Sequence, residues 1–324
     1  VDKCSCFKWD SLMNRNMRVA VCSRSFSKNK ILRSELLKKY KHVTFNDKGV
    51  KLEEGILIKF LSGHDKAIVA LERLDDFVLS QLPDLKVVGK YGVGLDMIDM
   101  DAMKRYGKKL GWIGGVNRRS VSELVISFAI SLLRHVPAAH CEVLSGTWRQ
   151  HVGSSLSGKT VGIIGCGFIG KDLVKMLKPF GCTILANDII DQTDFYKKHQ
   201  VLGVTLEEIL MKSDVLTLHL PLDNSTRNLL TAERMSLMKH NAILINTARG
   251  GLVDERALKE MLKNGKIAAA AFDVFEIEPP EDFELIKLDN FLVTPHIGGS
   301  TQEAILAMGM AAIDGIDGNY ISLG

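Results

Sequence analysis

The chain has 324 residues, 46% of them hydrophobic and 25% charged, enough for two domains with substantial buried cores. Its net charge is only +4, from 42 basic against 38 acidic residues with the signs mixed along the chain, so charge gives no indication of nucleic-acid binding. Six cysteines (Cys4, Cys6, Cys22, Cys141, Cys166 and Cys182) lack CxxC spacing, which argues against a disulfide framework or a zinc site and for free thiols in a reducing cytoplasm.

A first strand reads from Met17 in "MRVAVCS", and the sixteen residues ahead of it read either as an upstream extension or as residues foreign to the natural chain. Short apolar runs then alternate with helical patterns: "RVAVCS", "KNKILRSELLKKY", "KAIVAL" and "LKVVGKYGVG". This is βαβ rhythm, the pattern of a parallel sheet covered by helices. Ser120 and Glu123 have capping-box spacing ahead of "LVISFAISLL" (124–133), which is too short and too rich in serine to span a bilayer and reads as a buried helix. No secretory leader pattern precedes it, and no membrane partner is expected.

From Lys159 the rhythm restarts. "KTVGIIG", "CTILAND", "DVLTLHL", "NAILINTA" and "KIAAAAFDVF" read as strands, with helices between them, one of them opened by Thr205 and Glu208. A last helix, "STQEAILAMGMAAIDGI", opens with Ser300 and Glu303 and is expected to return to the first domain. The expected fold is α/β, with two doubly wound parallel-sheet domains and a cleft between them. Residues 117–296 would form a dinucleotide domain inserted into a discontinuous domain of residues 1–116 and 297–324.

"VGIIGCGFIGKD" places Gly165, Gly167 and Gly170 in G-x-G-x-x-G spacing, after a strand and opening a helix. Gly165 allows the tight turn, Gly167 lets a pyrophosphate approach the backbone, and Gly170 lets the helix pack close to the sheet. The diphosphate then meets the unpaired N–H groups of the helix N-terminus. Asp188, at the end of the next strand, can accept hydrogen bonds from the ribose hydroxyls and would repel a 2′-phosphate, so NAD is expected rather than NADP. "GCGFIGK" also matches G-x-x-x-x-G-K, but Asp172 stands where a triphosphate loop needs a hydroxyl for Mg²⁺.

Three ionisable residues follow three successive strands: Arg249 in "INTARGGLVDE", Glu278 in "FDVFEIEPP" and His296 in "VTPHIGG". Ligands of doubly wound sheets bind beyond the carboxyl ends of strands. Reducing a 2-oxo acid needs a cation to hold the carboxylate, a task suited to the planar fork of arginine. It also needs a proton donor for the carbonyl oxygen, which His296 supplies if Glu278 orients the ring and favours its charged form. The flanking glycines are expected to leave room for substrate.

On these motifs, with "KYGVGLDMID", "GVNRRSVSEL", "HLPLDNSTRNLL" and "TPHIGGST", the chain from about residue 65 to 310 resembles the D-isomer-specific 2-hydroxyacid dehydrogenases. The resemblance implies a Rossmann NAD-binding domain, a flavodoxin-like substrate domain and Arg249, Glu278 and His296 as the catalytic set. It implies substrate contacts from Lys90, Val93, Gly94 and Arg249. Cofactor contacts would come from Gly165, Gly167, Phe168, Ile169, Gly170, Asp188, His219, Pro221, Thr247, Ala248 and Gly298, with Asp273 holding the nicotinamide carboxamide. It also implies a homodimer paired through the cofactor domain, around "SVSELVISFAISLLRHV".

Some positions depart from the family pattern. Phe168 replaces a common arginine, and Met97 a common asparagine. Lys90 stands where phosphoglycerate dehydrogenases carry arginine. Their cation after the "IV" strand is absent from "AIVALER", and Arg149 lies one place early in "GTWRQ". The expected activity is therefore NAD-dependent interconversion of a small D-2-hydroxy acid and its 2-oxo acid. D-3-phosphoglycerate dehydrogenase is one alternative, and an NAD-sensing corepressor-like binding protein is another.

Overall fold

The computed structural model describes residues 16–323, so Cys4 and Cys6 lie outside the described residues. The chain divides into two compact units, one running to Asn117 and resuming at Gln302, the other spanning Arg118–Thr301.

The first unit holds a parallel sheet of β1 (Arg18–Val21), β2 (His42–Phe45), β3 (Lys66–Val69), β4 (Val87–Lys90) and β5 (Lys109–Gly111), in the order β2-β1-β3-β4-β5. That is the flavodoxin-like order. Strands β3 and β4 are buried along their whole length, which is why both read as apolar runs without alternation. The helix Gln302–Gly315 packs against β4 and β5 at very close range. A Cβ on Gly89 would lie 2.5 Å from the carbonyl oxygen of Ala312, and one on Gly111 would lie 1.8 Å from that of Gly315. Just past this helix, Asp317 pairs with the buried Lys66 at 2.8 Å, and Lys66 also donates to Tyr40 at 2.8 Å. Because the helix starts at Gln302, Ser300 does not occupy the N-cap position expected of it.

The second unit holds seven parallel strands: β6 (Thr160–Ile164), β7 (Thr183–Asn187), β8 (Leu202–Gly203), β9 (Val215–Leu218), β10 (Ile243–Asn246), β11 (Ala269–Phe272) and β12 (Phe291–Val293). Their order is β12-β11-β10-β9-β6-β7-β8. The chain runs outward from β6 to β8 and then returns to β9, so the direction of winding reverses between β6 and β9. Loops diverge at such a reversal and leave a crevice at the carboxyl edge. The two-residue β8, too short to carry a periodic signal, is absent from the sequence reading.

The helix Arg118–Leu133 buries Val125, Phe128, Ala129 and Leu132 against this sheet's core. Ser120 lies inside the helix and does not cap it: its buried hydroxyl donates to the carbonyl of Gly298 at 2.6 Å. The Thr205–Glu208 capping box is present in both directions. Residues 297–301 belong with the second unit and not with the first, because the N–H groups of Ile297 and Gly298 both bond to Asp273. Among the described residues no single helix is long and apolar enough to cross a membrane.

Candidate active site

Strands β10, β11 and β12 lie side by side, and Arg249, Glu278 and His296 follow them in turn. Parallel strands place these three loops at the same edge of the sheet. Gly250 brings the first loop onto the second: a Cβ there would lie 1.9 Å from the carbonyl carbon of Phe275. The Phe275 N–H in turn donates to Glu278 Oε1 at 3.1 Å. The other carboxylate oxygen, Oε2, is 2.8 Å from Nδ1 of His296. Backbone packing and side-chain hydrogen bonds therefore link all three loops.

The histidine ring stays accessible, with the His296 side chain 51% exposed and that of Glu278 40% exposed. His296 has φ of +55°, a left-handed conformation uncommon for a non-glycine residue, and its N–H turns back to the carbonyl of Thr294 at 3.0 Å. Asp273 holds this turn from below. Its carboxylate, 1% exposed, accepts from the hydroxyl of Thr294 and from the N–H groups of Ile297 and Gly298, each of the latter at 2.7 Å. A Cβ on Gly298 would stand 3.1 Å from that carboxylate. Gly298 thus approaches the Asp273 carboxylate closely. Its two backbone polar groups already have protein partners, Asp273 and Ser120.

Arg249 is half-buried, and its Nη1 donates to the carbonyl of Ala248 at 2.7 Å. The turn that carries it is closed by Asn246, whose side chain accepts from Ala248 N–H at 3.1 Å and donates to the Arg249 carbonyl at 2.8 Å. Sequence reasoning missed Asn246. The only signal was an amide-bearing residue, apt to close turns, at the end of an apolar strand.

The fingerprint residues have the expected local geometry. Gly165 has φ of +91°, and a Cβ there would lie 2.4 Å from the His219 carbonyl oxygen. A Cβ on Gly170 would lie 2.5 Å from the carbonyl of Gly165, whereas Gly167 faces open space. Gly167 is the N-cap of the helix Phe168–Leu177 and offers no side-chain acceptor to the leading N–H groups. Asp188 accepts from the N–H groups of Cys166 at 2.6 Å and Ile190 at 2.9 Å. Phe168 and Ile189 stand exposed just after Gly167 and Asp188.

Two buried atoms, Thr247 Oγ1 and His219 Nδ1, have no hydrogen-bond partner among the described residues. Leaving such atoms unsatisfied costs about 1–3 kcal/mol each, so a polar ligand is the natural partner. Burial pushes the His219 imidazole down to about 3, so the ring is neutral at ordinary pH. Its other nitrogen is 3.1 Å from Thr217 Oγ1. Open N–H groups, glycines where a side chain would obstruct, a carboxylate at the end of β7 and two unsatisfied atoms together fit a dinucleotide. Pro221 is exposed, Ile169 half-buried and Ala248 buried.

Lys90, Val93 and Gly94 lie in the first unit, at the carboxyl end of β4. Lys90 is 5% exposed and donates to the carbonyl of Ala70 beyond β3. In the second unit, Arg149 is paired with Glu142.

Such a constellation defines a dinucleotide-binding α/β fold with an arginine and a carboxylate–histidine pair at the strand ends. Residues 126–298 match the family model for the D-isomer specific 2-hydroxyacid dehydrogenase, NAD binding domain. The chain is 36% identical over 272 residues to a hydroxypyruvate reductase of Thermotoga maritima, covering 82% of this chain and 88% of that one. It is 42% identical over 235 residues to a D-3-phosphoglycerate dehydrogenase of Methanocaldococcus jannaschii, covering 72% of this chain and 45% of the relative. The chain thus spans about half the length of some curated relatives it matches. A solved D-lactate dehydrogenase from Aquifex aeolicus, complexed with NAD and lactic acid, superposes with a TM-score of 0.80 at 27% identity, covering 94% of this chain and 99% of that one. The chain belongs to the D-isomer specific 2-hydroxyacid dehydrogenase family and carries its NAD-binding domain.

Proposed function

We propose that the protein is an NAD-dependent oxidoreductase that interconverts a small D-2-hydroxy acid and its 2-oxo acid. The observation that carries this reading is the 2.8 Å pair of His296 and Glu278, set at the strand ends beside the Arg249 turn. When bound, NAD supplies or accepts the hydride exchanged with the substrate's second carbon. Glu278 fixes Nδ1 of His296, which leaves Nε2 to pass a proton to or from the substrate oxygen. The same carboxylate compensates the ring's charge when it is protonated. Arg249 holds the substrate carboxylate with its paired donors. Thr247 and His219 give their unsatisfied atoms to the cofactor, and Asp188 takes the ribose hydroxyls. Lys90, Val93 and Gly94 are the first unit's candidates for substrate binding.

An uncharged-tail substrate is favoured over a phosphorylated one. Lys90 and Arg149, the cations nearest the phosphate-binding pattern, are both engaged within the protein. The loop after β3 carries Glu72, whose carboxylate folds back onto the N–H of Ala70. The 42% identity to a D-3-phosphoglycerate dehydrogenase supports phosphohydroxypyruvate as the second reading. A homodimer is supported by the strong exposure of Leu144, Trp148 and Val152, apolar side chains that a second copy would cover. The free Cys22, Cys141, Cys166 and Cys182 support a reducing, cytoplasmic setting.

NADH oxidation should be followed with glyoxylate, hydroxypyruvate, pyruvate, phosphohydroxypyruvate and branched 2-oxo acids at low and high ionic strength. Turnover with at least one uncharged-tail acid is expected. Preference for phosphohydroxypyruvate that survives high salt, which screens exposed charge contacts, would promote the second reading. No turnover with any of them would end both.

A further inference from the structure

We infer that Asn246 is a positioning residue for Arg249: it sets the direction of the guanidinium from beneath the turn, without touching substrate. The inference rests on the proposed role of Arg249 in holding the substrate carboxylate. Asn246 ends β10 and is 0% exposed, so its amide has no access to solvent. Both halves of that amide are spent on two of the three residues that follow. Oδ1 accepts from the Ala248 N–H at 3.1 Å, and Nδ2 donates to the Arg249 carbonyl at 2.8 Å.

These two bonds hold the Thr247–Ala248 and Arg249–Gly250 peptide groups, which bracket Ala248 and Arg249, and so constrain the direction in which the Arg249 side chain departs. The guanidinium bonds back to the same turn, through the Ala248 carbonyl at 2.7 Å. The strand below is equally constrained, since the Asn246 carbonyl accepts from the Asp273 N–H at 2.9 Å. The turn is thus pinned to the neighbouring strand whose loop carries Glu278.

Neither aspartate nor serine reproduces the arrangement. Aspartate keeps the acceptor for Ala248 but turns a second oxygen toward the Arg249 carbonyl. Serine can still reach an N–H two residues on, but its single hydroxyl cannot also bridge to Arg249.

The test uses Asn246→Ser and Asn246→Asp, each alone and combined with Arg249→Ala. The readouts are steady-state kinetics with the best 2-oxo acid from the panel, NADH affinity by fluorescence and thermal midpoint. Each single variant is expected to lower kcat/KM on the order of 10- to 100-fold, the scale of a small misplacement of a binding group, mainly through a higher KM. NADH affinity should hold. With Arg249→Ala already present, the Asn246 changes should cost nothing further, because residues acting through one another are not additive.

A purely structural Asn246 would instead lower kcat in proportion to lost folded enzyme, leave KM alone and add to the Arg249→Ala loss; that pattern overturns the inference while sparing Arg249. If Arg249→Ala alone keeps full kcat/KM, the underlying reading of the arginine fails and the inference falls with it. Should Asn246→Asp not fold, Asn246→Ser carries the same cycle.

Discussion

Gly250→Ala is the sharpest test of how the site is assembled. A Cβ at this position would stand 1.9 Å from the Phe275 carbonyl carbon, 2.0 Å from its oxygen and 2.2 Å from the Glu276 nitrogen. All three are backbone atoms, so no side chain can rotate away. Reaching an ordinary contact of 3.4 Å requires the two loops to part by about 1.5 Å, the difference of 3.4 and 1.9. One loop carries Arg249 and the other carries Glu278. A displacement of about 1 Å can cost on the order of 100-fold in rate, which at 1.36 kcal/mol per tenfold is about 2.7 kcal/mol of transition-state stabilisation. Overpacking should also cost about 1–3 kcal/mol of stability. At roughly 2–4 °C per kcal/mol for a domain of this size, thermal unfolding would register the loss. NADH oxidation and thermal melts of the purified variant measure both. Gly55→Ala, where a Cβ meets nothing within 4 Å, is the control and should behave as wild type. Wild-type kinetics in Gly250→Ala would refute the claim that this close approach sets the catalytic geometry.

Three further outcomes are expected. His296→Ala should lower kcat on the order of 10²–10⁴-fold while NADH still binds, as seen by fluorescence titration; normal turnover would remove His296 as the proton donor. Asp188→Ser should weaken NADH binding and narrow the preference over NADPH, and a wild-type enzyme that prefers NADPH would contradict the ribose assignment. For Asp317, burial pushes the carboxyl up, but hydrogen bonds from Lys66 and Tyr40 outweigh it and leave the group below its ordinary value of 3.8. Folding then favours the ionised form, so the pair's contribution is present above about pH 4 and lost as pH falls through the lowered value. Melting temperatures of wild type and Asp317→Asn should differ at neutral pH and converge as the pH is lowered below about 4; a gap that does not shrink toward acid would argue against the ion pair.

The sheets and the candidate site residues were legible because both leave local marks. Strands such as "KTVGIIG" and "NAILINTA" are apolar runs bounded by turn residues, and G-x-G-x-x-G has a fixed spacing imposed by backbone contact. What could not be read were partnerships made across the fold. Ser120 and Glu123 have capping spacing, yet the helix starts at Arg118 and the serine hydroxyl is committed to Gly298, far away in sequence. Asp273 was assigned to the cofactor on resemblance, but nothing in "FDVF" shows that its carboxylate carries the turn around His296. The glycines after that histidine suggested space for a ligand, and nothing in "HIGG" shows that Gly298 also bonds to Asp273. Asn246 went unnoticed because an asparagine at a strand end is common, and only the turn's coordinates reveal that both halves of its amide are engaged.

The order β12-β11-β10-β9-β6-β7-β8 also bears on how enzymes of this kind diverge. Arg249, Glu278 and His296 follow the three strands at one side of the sheet, whereas Asp188 follows β7 on the other, with β9 and β6 intervening. Sites that share no partners respond to substitution independently. On the roles proposed above, selection can therefore retune which dinucleotide is accepted through the Asp188 end while His296 and Glu278 remain untouched. It can equally remodel the loops after β10 to β12 without surrendering the cofactor. A lineage built on this sheet can explore redox partner and carbon substrate along separate evolutionary routes.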